Sequence, residues 1–270
     1  VSPDKSFLFI HAEATNHTAR FPNALTTVFY DEPTRAYHVS RIPTPQGRFG
    51  YLGIMLDGRK ARVLTQSTQY DPIVEPVIPH YNWRLLKLLA CDDLTQGEWR
   101  TQPLIERDFG KTNQQDMMRG PDGSILIACN HQGSDESYDA AEAEPNDFHI
   151  ARVADDLSFE IFKPGIQTDA TKLFVDSKGQ VYAVGRHNEE RLHLWRLDPD
   201  DGFKVLADWD LPGSEHMTSM LHTLRPERFG GDSDGDTVHI VSTDPAPGGF
   251  GAGAQELSPW YLRFDLPVNE

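Results

Sequence analysis

The stretch Gly120-Pro121-Asp122-Gly123-Ser124-Ile125-Leu126-Ile127-Ala128-Cys129-Asn130 decides the fold. Pro and Asp ahead of Gly are turn chemistry, because Pro presets one backbone angle and Gly takes the left-handed conformation that other residues resist. The apolar run that follows is short, bounded and rich in β-formers, which reads as a buried strand. The same phrase returns four more times. Ser2-Pro3-Asp4-Lys5 precedes Phe7 to His11, Leu56-Asp57-Gly58 precedes Ala61 to Thr65, Asp176-Ser177-Lys178-Gly179 precedes Val181 to Arg186, and Asp234-Gly235-Asp236 precedes Val238 to Ser242. The interval is roughly 53 to 65 residues, in or just above the period of a four-stranded β-propeller blade.

Outward from each phrase the rest of a blade can be read. Strand A leads into the turn as Phe49 to Leu56, Met117-Met118, Leu173 to Val175 and Met217 to Leu224, and the phrase itself is strand B. Strand C follows as Ala24 to Tyr30, Trp83 to Ala90, Phe148 to Val153, Leu192 to Leu197 and Trp260 to Phe264. Strand D follows as Arg35 to Ile42, Glu98 to Ile105, Phe159 to Phe162 and Phe203 to Trp209. The B strands are nearly all apolar while several outer strands alternate, which predicts inner strands packed on both faces and outer strands with one face toward water. Helical periodicity is weak, and 19 prolines and 21 glycines fall at turn spacing. The expectation is an all-β chain, residues 1–270 forming a single β-propeller domain with about five blades. The first unit begins at strand B and the last stops at strand C, so the blades form either a closed five-blade ring or part of a larger one, such as seven blades, with upstream blades lacking.

Composition limits the partners more than it names them. With 41 acidic against 25 basic side chains, a net charge of −16, the surface repels phosphate backbones and nucleic-acid binding is not expected. No run of about 18 apolar residues is present, so no membrane insertion is expected. A chain that opens on Val1 without Met leads to the expectation of something removed upstream, a signal peptide or a larger segment, and of a secreted or periplasmic location. Cys91 and Cys129 have neither CxxC spacing nor enough neighbours for a zinc cage or a disulfide framework, and read as small buried hydrophobes.

Strand order also tells which loops share a face. Successive strands are antiparallel, so the B–C loops and the loops entering strand A lie on one face, opposite the Asp/Gly turns, which look suited to solvent. The B-strand ends form a column of Glu13, Ser67, His131, His187 and Asp244, preceded by a column of Ala12, Gln66, Asn130, Arg186 and Thr243. The loops entering strand A add Arg48, Asn113, Gln114, Gln115, Asp116, Thr168, Asp169, Glu215 and His216. His80-Tyr81-Asn82 sits in the long second B–C loop. Histidines, arginines, carboxamides and carboxylates so gathered are the side chains of acid–base chemistry on a charged substrate. Each has a plain structural alternative as well: a histidine at a strand end is more often a hydrogen-bonded loop residue, and Arg186 can pair with Glu189 or Glu190.

Other motifs exclude chemistry. Asp232, Asp234 and Asp236 imitate the start of a calcium loop, but the sixth place lacks Gly and the twelfth is Thr243, so the segment reads as a hairpin turn. No cofactor is required by any motif, and a structural calcium ion is the one left open. No GxSxG, HExxH, P-loop or dinucleotide fingerprint occurs.

The segment Ala90-Cys91-Asp92-Asp93-Leu94-Thr95-Gln96-Gly97-Glu98-Trp99 looks like a degenerate Asp-box turn of the sialidase-type (BNR) repeat, in which Asp, Gly and Trp fold the C–D hairpin. With the Gly120 to Ile127 phrase, the chain resembles BNR-repeat propellers of bacterial polysaccharide degradation, a group that includes ulvan and rhamnose-glucuronate lyases and related rhamnosidases. The arginine triad and nucleophilic tyrosine of true sialidases have no matching positions. The resemblance implies a polysaccharide or oligosaccharide substrate. In the lyase branch, it implies a base and a basic residue that neutralises a uronate carboxylate: His131 or His187 for the first, Arg186 or Arg48 for the second. Tyr81 or His216 would protonate the leaving oxygen, with Asn130, Gln114, Asp169 and Asp244 as further substrate-binding candidates. Paired carboxylates from Glu13, Asp116, Asp169, Glu215 and Asp244 would instead indicate a glycoside hydrolase, and equivalent pockets repeated from blade to blade a non-enzymatic binding propeller.

Overall fold

The computed structural model describes residues 2–12, 24–43, 48–69, 83–105, 111–132, 147–168, 171–187, 191–212, 214, 229–234, 236–244 and 258–267. Every regular element among them is a strand, and the strands form five antiparallel sheets in chain order. The fold is all-β, a β-propeller. Sheet 1 holds β1 (Phe7–Ala12), β2 (Ala24–Asp31) and β3 (Ala36–Pro43). Sheet 2 holds β4 (Arg48–Asp57), β5 (Lys60–Gln69), β6 (Trp83–Cys91) and β7 (Trp99–Ile105). Sheet 3 holds β8 (Lys111–Arg119), β9 (Ile125–Gln132), β10 (Asp147–Val153) and β11 (Phe159–Phe162). Sheet 4 holds β12 (Thr171–Val175), β13 (Val181–His187), β14 (Arg191–Asp198) and β15 (Lys204–Asp210). Sheet 5 holds β16 (Phe229–Asp234), β17 (Thr237–Asp244) and β18 (Ser258–Asp265). In each sheet, hydrogen-bonded neighbours are also neighbours in sequence, which is the up-and-down order expected of a blade.

The chain divides into two compact units, Val1–Thr112 with Ser134–Tyr138, and Asn113–Gly133 with Asp139–Glu270. Sheets 1 and 2 belong to the first. Their facing sides bury Ile10, Leu25 and Ile42 against Val63 and Leu89, and Phe29 against Ala61, Cys91 and Leu94. A half-exposed ion pair crosses the same interface: the exposed Arg59 donates through Nε (3.0 Å) and Nη2 (2.8 Å) to the fully buried Asp31 carboxylate.

The Asp-box-like segment folds its hairpin as the sequence suggested. Asp93 Oδ1 accepts the Thr95 amide (2.9 Å) and hydroxyl (2.7 Å), and Gly97 takes φ 67°. Trp99 then packs into both clusters while its Nε1 donates to Ser40 Oγ at 2.9 Å.

Sheets 3 to 5 form the second unit, and β13 shows why its sequence is apolar throughout. Val181 and Ala183 pack with Leu126, Ala128, Phe148 and Ile150 of sheet 3, while Tyr182 and Val184 pack with Val238 and Ile240 of sheet 5. A middle strand sandwiched between two sheets has no face for water, whereas β15 alternates exposed and half-buried residues along its length.

The recurring turns are also contacts between sheets. Gly58, Gly123 and Gly179 have φ of 55°, 83° and 82°, and Lys5 takes the same left-handed region at 70°. Asp236 accepts the Ser177 amide (2.7 Å) and hydroxyl (2.9 Å) from the neighbouring turn, and Ser2 Oγ accepts the Gly58 amide at 2.9 Å. Turns expected to face only solvent therefore clamp adjacent blades.

Three placements correct the sequence reading. The strand paired with β17 is β16, Phe229–Asp234, with Asp234 opposite Thr237; the stretch Met217 to Leu224, expected to fill that role, lies outside the described residues. Gln114 and its neighbours Asn113, Gln115 and Asp116 stand on strand β8 and not in a loop entering it. Arg48 likewise opens β4, opposite Thr68. The fold needs long strands here to match the ladder of the B strand, and the polar residues of Lys111–Arg119 are accommodated because β8 is the end strand of its sheet.

Candidate functional site

Within the second unit the B strands bring unlike residues to equivalent positions. His131, His187 and Asp244 each stand six residues past a buried apolar residue near the turn end of the B–C ladder, Ile125, Val181 and Val238. His131 is paired with Asp147, His187 with Arg191, and Asp244 with Ser258. One position earlier, Asn130 is opposite Phe148 and Arg186 opposite Leu192. His131, His187 and Asp244 stand at or next to the ends of their B strands, opposite the Asp/Gly turns; of the other members of the expected column, Glu13 lies outside the described residues and Ser67 belongs to the first unit.

The end strands β8 and β12 lie beside this column. Asp116 on β8 accepts the Leu173 amide at 2.9 Å through Oδ2 and meets Lys172 Nζ at 3.3 Å through Oδ1. Leu173 is buried on a strand with only one hydrogen-bonded neighbour, so a carboxylate from the next sheet satisfies an amide that its own ladder leaves over. The carboxylate is a bridge between sheets 3 and 4 that sequence reading took for a loop acid. The signal for it was faint: a lone Asp in a polar strand, and a Lys entering the next A strand.

Further along the same end of sheet 4, Ser214 is fully buried. Its Oγ accepts the Leu192 amide at 2.9 Å and donates to the Leu211 carbonyl at 2.6 Å, while the Leu211 amide donates to the Leu192 carbonyl at 2.9 Å. That anchor fixes where the chain leaves β15, two residues ahead of His216. Ile166 provides the corresponding tie in sheet 3, accepting the Phe148 amide at 2.9 Å through its carbonyl.

Tyr81, His216 and Asp169 lie outside the described residues, as do Glu13 and Glu215. Arg48 belongs to the first unit.

Described thiols and one buried phenol are poorly suited to nucleophilic or base chemistry. Burial pushes the Cys129 thiol up to about 12 and raises Cys91 as well. Tyr182 is raised to about 12 by burial, with the Asp176 carboxylate adding to the effect. Among the described residues no group of three or more His, Cys, Asp or Glu is arranged to hold a metal ion. Asp236, one of the three aspartates that imitate a calcium loop, is engaged by Ser177 through both oxygens. No helix among the described residues is long and apolar enough to cross a membrane.

No protein-family model matches the chain, so the likeness to BNR-repeat propellers has the fold behind it and no family match. No curated protein matches either. Among solved structures, a GH43 β-xylosidase/α-arabinofuranosidase from a compost microbial metagenome, in complex with xylotriose and in a calcium-free form, is similar over 83% of this chain and 79% of its own, with TM-score 0.51 and 10% identity. A protein of unknown function from Dyadobacter fermentans is similar over 96% of this chain and 91% of its own, with TM-score 0.46 and 14% identity. The β-propeller domain of the Trilobed protease from Pyrococcus furiosus covers 82% of this chain and 58% of its own, with TM-score 0.39 and 10% identity. At such identities the first likeness is one of fold alone.

Proposed function

We propose that this chain is a carbohydrate-active propeller that cleaves a uronic-acid-containing polysaccharide by β-elimination. The observation that carries the reading is the unlike set at one register position, His131, His187 and Asp244, with Asn130 and Arg186 one step before. A propeller that only binds a repeating ligand would repeat its side chains from blade to blade. A single asymmetric reaction needs them to differ.

Elimination breaks the C–H bond next to the uronate carboxylate, forms a carbon–carbon double bond and expels the glycosidic oxygen. Charge builds on the carboxylate as the proton leaves, so a guanidinium beside it lowers the barrier; Arg186 takes that role. A histidine has an ordinary pKa near the working pH and removes the proton as the free imidazole, which assigns His131 or His187. His216, two residues beyond the anchored Ser214, returns a proton to the leaving oxygen. Arg48 and Tyr81 are the corresponding candidates of the first unit, and this reading does not depend on them. A polymer of this size and charge is met outside the cytoplasm, which agrees with a secreted or periplasmic location.

Hydrolysis is the second reading, favoured by the fold likeness to a GH43 glycosidase in complex with xylotriose. It would draw on Asp169, Glu215 and Asp244, since Asp116 is committed to Leu173 and Lys172. Single replacements His131→Asn and His187→Asn separate the readings. One of them is expected to lower kcat about 10²–10⁴-fold with the fold intact, and full turnover in both variants removes the histidines from the mechanism.

A further inference from the structure

One cation beside the strand ends of the second unit is not used up by the fold. Lys172 stands on β12, the end strand of sheet 4, directly opposite Val184. Val184 is followed two residues on by Arg186 and three on by His187, where β13 ends. Across an antiparallel ladder that diagonal puts the backbones of Lys172 and Arg186 about 7–8 Å apart, within reach of long side chains. Arg119, Arg152, Lys178, Arg196 and Lys204 stand instead toward the turns, at the other end of their sheets.

The bond to Asp116 holds Lys172 lightly. Asp116 is committed through Oδ2 to the Leu173 amide at 2.9 Å, and Lys172 Nζ meets the other oxygen at 3.3 Å, longer than the roughly 2.7–2.9 Å of a good charge-assisted bond. An ammonium has three donors, and Asp116 takes one of them. Both side chains are 20% exposed, so the pair is not sealed from solvent. Equivalent positions elsewhere carry no such group. Val184 is three residues past the buried Val181, as Leu64 is past Ala61 and Val241 past Val238, and the residues opposite Leu64 and Val241 are Gly53 and Gly230. A long cationic side chain at this register distinguishes sheet 4 from sheets 2 and 5.

We propose that Lys172 binds a carboxylate of the polysaccharide, as a second cation beside Arg186. This rests on the uronate reading above. A chain of net charge −16 repels a polyanion as a whole, so the anion has to be met by cations at the site itself. Lysine suits the task as a compact point charge on a flexible stem. The ammonium exchanges Asp116 Oδ1 for the substrate carboxylate, and Asp116 keeps its bond to the Leu173 amide throughout.

The test measures kcat and KM on a uronate polymer for the unaltered chain, Lys172→Met and Asp116→Asn, following unsaturated product and new reducing ends together. Lys172→Met is expected to lower kcat/KM roughly 10–100-fold, chiefly through KM, with Tm changed by no more than roughly 2–4 °C. Asp116→Asn breaks the same ion pair but leaves the ammonium to the substrate, so its kcat/KM should equal or exceed that of the unaltered chain. A Lys172→Met value within about twofold of the unaltered chain overturns the proposal. An equal loss in Asp116→Asn also overturns it, because the pair would then act by holding the two sheets. New reducing ends without unsaturated product fail the elimination reading alone, and the same ratios still decide the role of Lys172. No product of either kind on any uronate polymer fails both.

Discussion

Removing the Asp116 carboxylate separates a structural role from a catalytic one. In Asp116→Ala the buried Leu173 amide loses its acceptor, a desolvation penalty of about 1–3 kcal/mol, and Lys172 loses a partner worth about 0–1 kcal/mol. At about 2–4 °C per kcal/mol for a chain of this size class, Tm falls by roughly 2–16 °C. Asp116→Asn keeps an oxygen for the amide and gives up only the charge opposite Lys172, so its loss stays within about 1 kcal/mol, or roughly 2–4 °C. Calorimetry on the three proteins gives the stabilities, and turnover of a uronate polymer gives the activities. Both variants should retain kcat at temperatures where they are folded. Two results refute this reasoning. If Asn costs as much stability as Ala, the ion pair and not the amide bond holds the sheets together. If Asn leaves Tm unchanged and abolishes turnover, Asp116 belongs to the chemistry and hydrolysis gains over elimination.

Three more consequences can be measured. Gly97 has φ 67° and an added Cβ would come within 2.7 Å of Ser40 Cβ, so Gly97→Ala should cost about 2 kcal/mol or more in urea unfolding, and a neutral result contradicts the close approach. Phe148 is buried between sheets 3 and 4, and Phe148→Ala should cost about 3–5 kcal/mol, while Phe9→Ala in the 270-residue chain stays within about 0.5 kcal/mol. Burial raises Cys129 from 9.0 and Tyr182 from 10.0, each to about 12. Folding therefore holds both in the protonated form, and their stability is fully present below pH 9 and 10, respectively. It is lost as pH climbs toward 12, because the unfolded groups ionise first. Tm should fall across this alkaline window, less steeply in Cys129→Ala, and a flat profile there refutes the burial of both groups.

How much of this was legible depended on whether the local signal and the tertiary demand agreed. The B and C strands announced themselves because sandwiched strands must be apolar on both faces, and Val181 to Val184 leave no other reading. Strand β16 was missed for the opposite reason. Phe229-Gly-Gly-Asp-Ser-Asp has little strand propensity, and the apolar run Met217 to Leu224 competed for the assignment, but only a strand ending at Asp234 can close the tight turn onto Thr237. Strand β8 was read too short because its first half is polar, and an end strand tolerates that. The placing of His131 and His187 at B-strand ends followed from counting along the repeat and needed no propensity. The clamps Asp116–Leu173 and Asp236–Ser177 were out of reach, since each joins residues more than fifty positions apart that no local pattern connects.

The central claim, elimination on a uronate polymer, meets its most direct test in the product. The protein is incubated with ulvan, glucuronan and other uronate polymers while ultraviolet absorbance of the unsaturated product and new reducing ends are followed together. The account predicts that both rise in step on at least one polymer. New reducing ends without the absorbance would contradict it and establish hydrolysis.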